Sequence, residues 1–294
     1  MHVLGRRWVA DCAAAAPTAD PAVVEEVGRD LLGRWQEPHR RYHGTAHLGE
    51  VLAAVDTLCT AERVPADDRT VARLAAWFHD AVYAVGPVPP GGGAWTAGAA
   101  VDAAAGASGD ARAQGSADAA AAGSADAAAA GSADAAAAGS ADAAGAGAVR
   151  AAGAGSEDAS ADASTNEIAS ARLAARQLER LGVGPAATSR VVAVVLDTLA
   201  HELSDAAAED PARVVVHDAD LWVLAAPVAR FDEYCTQVRQ EYAHVPAADY
   251  ARARSGVLRP FLARGHVYRT AFARAAWEPA ARENLARELT RLAG

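Results

Sequence analysis

The chain has 294 residues, with 27 basic and 37 acidic side chains for a formal net charge of −10, and every basic residue is arginine. That length suits one large domain or two small ones. Nine acids and two arginines lie between Gly86 and Ser164, which leaves the remainder nearly neutral. No basic face for nucleic acid and no polybasic patch for a membrane surface is expected.

Three widely spaced cysteines, Cys12, Cys59 and Cys235, form no CxxC pair, which argues against a disulfide framework or a cysteine-type zinc site. The apolar run near the N-terminus is short and interrupted by Asp11. Neither a signal peptide nor a membrane span is expected there, and the expected compartment is the cytoplasm.

In chain order, "DPAVVEEVGRDLLGRW" carries Asp20 as an N-cap, Pro21 at the first helical position and apolar residues at helical spacing. "HLGEVLAAVDTL" and "DRTVARLAAWFHDAVY" repeat that period. Next comes an interval of different composition. An eight-residue phrase, GSADAAAA, recurs in tandem from Gly115, and Trp95 is the sole aromatic residue between Gly86 and Ser164. Runs of four alanines favour helix locally. Recurrent Gly and Ser break them into segments too short to persist in water, and no large apolar residue is present to dock them. Residues 86–164 are therefore expected to form a solvated, disordered low-complexity loop.

Helical periodicity resumes in "NEIASARLAARQLERLG", with Gly182 as the residue after the helix end, and in "ATSRVVAVVLDTLAHEL". "PARVVVHDADLWVLAA" admits a strand at its VVV and reads as helix from DADL onward. Beyond it the pattern stays helical, with breaks expected at Pro246, Pro260 and Pro279, and no hairpin signal appears. The expectation is an all-α fold: one helical domain made of residues 1–85 and 165–294 and interrupted by the 86–164 insertion.

Histidine carries the chemistry. His79-Asp80 closes an apolar helix, where two adjacent polar groups are costly to bury without partners. Imidazole nitrogen plus carboxylate oxygen suits a divalent transition metal in a site with open positions. "RYHGTAHLGEV" offers His43 and His47 at i, i+4 on one helical face. "LDTLAHE" adds His201, and "HDADLWVL" adds Asp218 and Asp220 beside a second HD dipeptide at His217.

In their order these residues resemble the HD superfamily of metal-dependent phosphohydrolases. "EPHRRYHGTAHL", "AAWFHDAVY", "NEIAS", "TLAH", "DADLWVL", "VRQEYAHVP" and "FLARGHVYRT" are together similar to a bacterial family of predicted phosphohydrolases in that superfamily. The resemblance spans all of the chain outside the insertion. It implies an HD-type helical bundle holding a divalent ion (Mn, Co, Ni, Fe, Zn or Mg) through His47, His79, Asp80 and Asp220. Asp218 is the rival for the last position, and His217 is expected to bind no metal.

The resemblance implies hydrolysis of a small phosphorylated metabolite such as a nucleotide. Glu167, Asp80 and His201 are the candidate catalytic groups. For His201 the roles open are a substrate phosphate, a second metal, or a solvent-facing helix end. Glu167 also fits a plain N-terminal helix carboxylate. The corresponding motif usually reads D-N-E, and here Thr165 stands in its first position. His43 is expected to orient a ligand or meet substrate, Asn166 to hydrogen-bond beside Glu167, and Arg40, Arg239 and Arg254 to clamp phosphate oxygens. The competing functions are a catalytically silent HD-fold binding or regulatory protein, and a di-iron oxygenase. The latter needs more histidines than His201 and His217 between the HD pair and the last aspartate.

Overall fold

The computed structural model describes residues 3–85 and 166–294; the 86–164 insertion, with its expected disorder, lies outside the described residues. Those residues belong to one compact unit and are all-α, with no strand among them. The helices are α1 (Val3–Ala15), α2 (Pro21–Trp35), α3 (Thr45–Ala61), α4 (Ala66–Phe78), α5 (Asn166–Arg180), α6 (Pro185–Asp197) and α7 (Pro211–Asp220). After a 3-10 turn at Leu221–Ala225 come α8 (Val228–Glu241), α9 (Ala247–Ala263), α10 (Ala271–Ala276) and α11 (Glu278–Ala293).

Local chemistry sets the boundaries. The Asp20 carboxylate accepts the N–H of Ala22 with Pro21 following it, and Asp210 does the same for Ala212 ahead of Pro211, each satisfying a donor that the first helical turn leaves orphaned. Gly182 takes a φ of 74° just past α5, the left-handed conformation a glycine adopts at little cost. The VVV segment is helical, within α7. Pro246 and Pro279 stand at helix starts, whereas Pro260 does not break α9. It forgoes the bond that an N–H at 260 would make to Gly256 O, yet the helix runs on to Ala263.

Helix α4 is the hub and packs against α1, α3, α5, α6 and α7. Its Trp77 and Phe78 are fully buried with Trp8 and Trp35. Each indole N–H in this cluster has a partner: Trp8 Nε1 donates to Val24 O, Trp35 Nε1 to Trp77 O and Trp77 Nε1 to Asp11 Oδ2. Trp8 lies so close to α2 that a Cβ on Gly28 would stand 2.3 Å from Trp8 Cδ1. Helix α11 packs on α8, α9, α10 and the 3-10 turn. Among the described residues no helix is long and apolar enough to cross a membrane.

The two borders of the 86–165 interval are joined. Asn166 Oδ1 accepts the N–H of Ala84 at 3.0 Å, and its Nδ2 donates to Ala84 O at 3.2 Å. One turn along α5, Ser170 Oγ accepts the N–H of Val82 at 3.0 Å. The start of α5 thus supplies partners for an irregular backbone segment that has no ladder of its own.

Candidate metal centre

The HD dipeptide lies where α4 stops. His79 is its C-terminal cap, and Asp80 stands in the turn beyond. The carbonyls of the turn that follows the helix also need donors, and Arg40 supplies them. Its guanidinium donates to Asp80 O at 2.7 Å, Ala81 O at 3.1 Å and His43 O at 3.0 Å, with Nε on Glu37. Arg40 therefore ties the 40–43 segment to the HD turn, and the donors expected to clamp phosphate are engaged by Glu37 and backbone carbonyls.

Three side chains from α3, α4 and α7 converge next to that turn. His47, His79 and Asp220 each offer one ligand atom within 4.8 Å of the others, enough to hold a metal ion. His47 Nε2 is 3.1 Å from His79 Nε2 and 3.3 Å from Asp220 Oδ1. Asp80 Oδ2 adjoins both rings, at 3.6 Å from His47 Nε2 and 3.3 Å from His79 Nε2. His79 Nδ1 lies 2.9 Å from Ala76 O. A proton held there leaves the Nε2 lone pair turned toward the cluster, as in histidines that ligate metals.

Electrostatics favour a cation at this point. Burial opposes charge on every member, yet Asp80 and Asp220 outweigh it and hold His79 well above the usual imidazole range. His47 is raised by its hydrogen bonds to the same two carboxylates, again against burial. Conversely, the imidazoles pull Asp80 and Asp220 below the usual carboxylate range despite burial. Two nitrogen donors and two carboxylates in a buried cluster fit a divalent ion.

The rival carboxylate is used elsewhere. Asp218 is fully buried and accepts the N–H groups of Arg269 and Thr270 and a hydrogen bond from His217 Nδ1. Positions 218 and 220 point to nearly opposite sides of α7, so only Asp220 reaches the histidines. His217 Nε2 is in turn 3.1 Å from His201 O.

His201 is not at a helix end but in the turn after α6, with a φ of 45°. That left-handed conformation is unusual for a residue with a side chain. It is pinned through its carbonyl, which accepts from Arg264 at 2.7 Å and lies 3.1 Å from His217 Nε2. Its Nδ1 is buried without a hydrogen-bond partner, 3.9 Å from Asp220 Oδ2. Burial lowers its pKa to about 4, so the ring is neutral near pH 7.

A cavity of about 100 Å³ opens onto the cluster. Its wall includes His43, His47, Asp80, Glu167, His201, Asp220 and Arg254. Glu167 is buried, in the first turn of α5. Asn166, next to it, is instead spent on the backbone of Ala84, and Arg239 on the carbonyls of Tyr242 and Val245 at the end of α8. Asn166 is thus a hydrogen-bonding group beside Glu167, with the backbone as its partner, and the Arg239 donors expected to clamp phosphate are engaged by carbonyls. His43 also precedes α3 rather than sharing its face with His47, because the helix begins at Thr45.

Glu241 was not singled out from sequence. Its Oε1 accepts the N–H groups of Arg41, Tyr42 and His43 at 2.7, 2.8 and 3.0 Å, and its Oε2 meets His43 Nδ1 at 2.7 Å and Tyr83 Oη at 3.0 Å. Burial works against its ionisation, but the His43 ring and these N–H groups bring its pKa down to about 2. One available signal was an acid in the last turn of a helix, where the helix dipole disfavours it. Tyr42, Tyr234 and Tyr242, which also line the cavity, gave no signal beyond aromatic character.

The described chain is thus an all-α protein with a His-His-Asp group that could hold a metal ion, two of whose members, His47 and Asp220, line a cavity. No family model and no solved structure matches it.

Proposed function

We propose that this protein is a metal-dependent phosphohydrolase of the HD type, acting on a small phosphorylated metabolite. The observation that carries this reading is the buried convergence of His47 Nε2, His79 Nε2 and Asp220 Oδ1, with Asp80 beside them, on a cavity wall. The mixed nitrogen and oxygen set suits Mn, Fe, Co, Ni or Zn better than Mg, which prefers oxygen and water ligands. A divalent ion, which His47, His79, Asp80 and Asp220 would hold, would supply Lewis acidity toward a phosphoryl oxygen and toward water.

The chain's own groups have distinct tasks in this scheme. Hydrolysis adds the oxygen of water to phosphorus and breaks the bond to the ester oxygen, which leaves with a proton. Glu167, buried in the cavity wall, takes the proton of the water or returns one to the leaving group. His201, neutral and with a bare Nδ1, hydrogen-bonds a phosphoryl oxygen or the departing alcohol. His43, held by Glu241, presents its ring to the same space.

Metal content of the purified full chain, followed by phosphate release from a panel of phosphomonoesters with Mn, Co, Ni, Zn and Mg, tests the proposal. His79→Ala and Asp80→Ala are expected to lose both metal and hydrolysis. Retention of full metal content and full activity in these variants overturns it.

A further inference from the structure

Arg254, on α9, is a buried guanidinium with 4% of its surface exposed, and it lines the cavity. Its Nη2 donates to Tyr234 Oη, and the guanidinium stands 5.0 Å from the centroid of the Tyr234 ring. Its Nε is buried without a hydrogen-bond partner. Among the described residues it forms no ion pair. A buried cation is normally paired with a carboxylate, because removing it from water is otherwise costly. Several other buried or half-buried arginines obey that rule or spend themselves on carbonyls: Arg190 on Asp68 and Asp210, Arg213 on Asp197, Arg40 on three carbonyls.

Its place relative to the metal ligands is traced by ring contacts. His47 and Tyr42 have centroids 4.6 Å apart, and Tyr42 and Tyr234 4.5 Å apart, with Arg254 beyond. The Tyr42 hydroxyl, midway along this row, is also buried without a hydrogen-bond partner. The wall also includes the apolar Val257, Leu258 and Phe261 of the same helix, and Leu224. The cavity thus has a metal-ligating end, an aromatic and aliphatic flank, and one unneutralised cation.

We infer that Arg254 receives a second oxyanion of the substrate. Resting on the phosphohydrolase reading, this makes the substrate a small phosphate monoester whose organic part carries a carboxylate or a second phosphate across a short apolar or aromatic spacer. The reacting phosphoryl group would lie at the end of the cavity where His47, His79 and Asp220 would hold the ion, the Tyr42 hydroxyl reaches the spacer or its flanking oxygens, and the guanidinium takes the distal anion in a charge-assisted pair.

The test uses the Mn-loaded full chain and three phosphonates that cannot be hydrolysed: phenylphosphonate, 4-phosphonobenzoate and 1,4-phenylenediphosphonate. Calorimetry is expected to show one or both of the doubly anionic probes binding at least about tenfold more tightly than phenylphosphonate, the range of a hydrogen bond to a charged group. Whichever binds tighter identifies the anion as carboxylate or phosphate. In Arg254→Met the preference is expected to collapse toward unity, and in Arg254→Lys to survive in part. Equal affinity of the wild-type chain for all three overturns the inference whether or not either variant folds, as does an unchanged preference in folded Arg254→Met. Phenyl phosphate and 4-carboxyphenyl phosphate, assayed in parallel, separate the two readings. If neither is hydrolysed while the phosphonate preference depends on Arg254, the anion site stands and the hydrolase reading falls. If both are hydrolysed and the phosphonates bind equally, the reverse holds.

Discussion

Glu241 grips His43 at two points: one carboxylate oxygen accepts the backbone N–H at 3.0 Å and the other meets ring Nδ1 at 2.7 Å. The last turn of α8 thereby fixes both the path of the 41–43 backbone and the orientation of the imidazole that enters the cavity. Because the folded pKa, about 2, lies below the ordinary 4.5, the ionised form stabilises the fold. That contribution is fully present above pH 4.5 and is lost as pH falls toward 2. It amounts to roughly 3 kcal/mol at neutral pH. Urea unfolding of Glu241→Gln is expected to show a stability loss near pH 7 that shrinks steadily below pH 4.5; a loss independent of pH would refute the assignment.

Asp218 and Asp220 are predicted to separate stability from metal binding. Asp218→Asn weakens hydrogen bonds to Arg269, Thr270 and His217 in the core, at a cost of about 2 kcal/mol, and leaves the metal ligands in place. Asp220→Asn is expected to fold well and to bind Mn at least about 100-fold more weakly, more than is lost when a residue behind a ligand is changed. Melting curves with and without metal distinguish them. At metal concentrations near 100 times the dissociation constant the wild type gains about 2.7 kcal/mol. Asp218→Asn keeps that increment and Asp220→Asn loses it.

Arg40→Ala removes all the donors that serve Asp80, Ala81 and His43 carbonyls. Leaving buried carbonyls unpaired is expected to cost about 3 kcal/mol and to lower metal affinity, since the HD turn loses its anchor. Arg40→Lys, a point charge without the planar fork, is expected to restore less than half of the loss. A variant with wild-type melting temperature would show that the turn holds itself.

Gly28→Ala offers a packing test remote from the cavity. Alanine is favoured over glycine in a helix by about 1 kcal/mol. Here its Cβ would meet the buried Trp8 indole, which is pinned by its bond to Val24 O. Overpacking of this kind costs about 1–3 kcal/mol, so the denaturation midpoint is expected to fall or at best stay level. A clear rise would mean that Trp8 yields freely.

Periodicity and capping residues made most helices legible in the sequence, because Asp20, Pro21 and Gly182 act through bonds within a few residues. The ends of α4 and α7 were less so. "WFHDAVY" keeps an apolar rhythm past Phe78, and only the tertiary grip of Arg40 shows that the helix has stopped. His47, His79 and Asp220 stood out because their residue types and order are chemically specific. Arg40, Arg239 and Arg254 looked equally available to a phosphate, and Asn166 to any partner beside Glu167. What separates the others from Arg254 is whether a backbone partner has already claimed their donors; for Arg239 it is the local path of the chain after α8, and for Arg40 and Asn166 that partner is distant in sequence. Glu241 escaped notice for the same reason, since its partners lie some two hundred residues upstream.

The clasp between Asn166 and Ala84, seconded by Ser170 and Val82, has a topological consequence. The polypeptide that joins these two points is covalently continuous, but the helices that build the cavity meet across the clasp without needing that continuity. A protein opened by proteolysis between 86 and 165 should therefore stay together as two complementing fragments, and the same position is a natural place for new termini in a circular permutant.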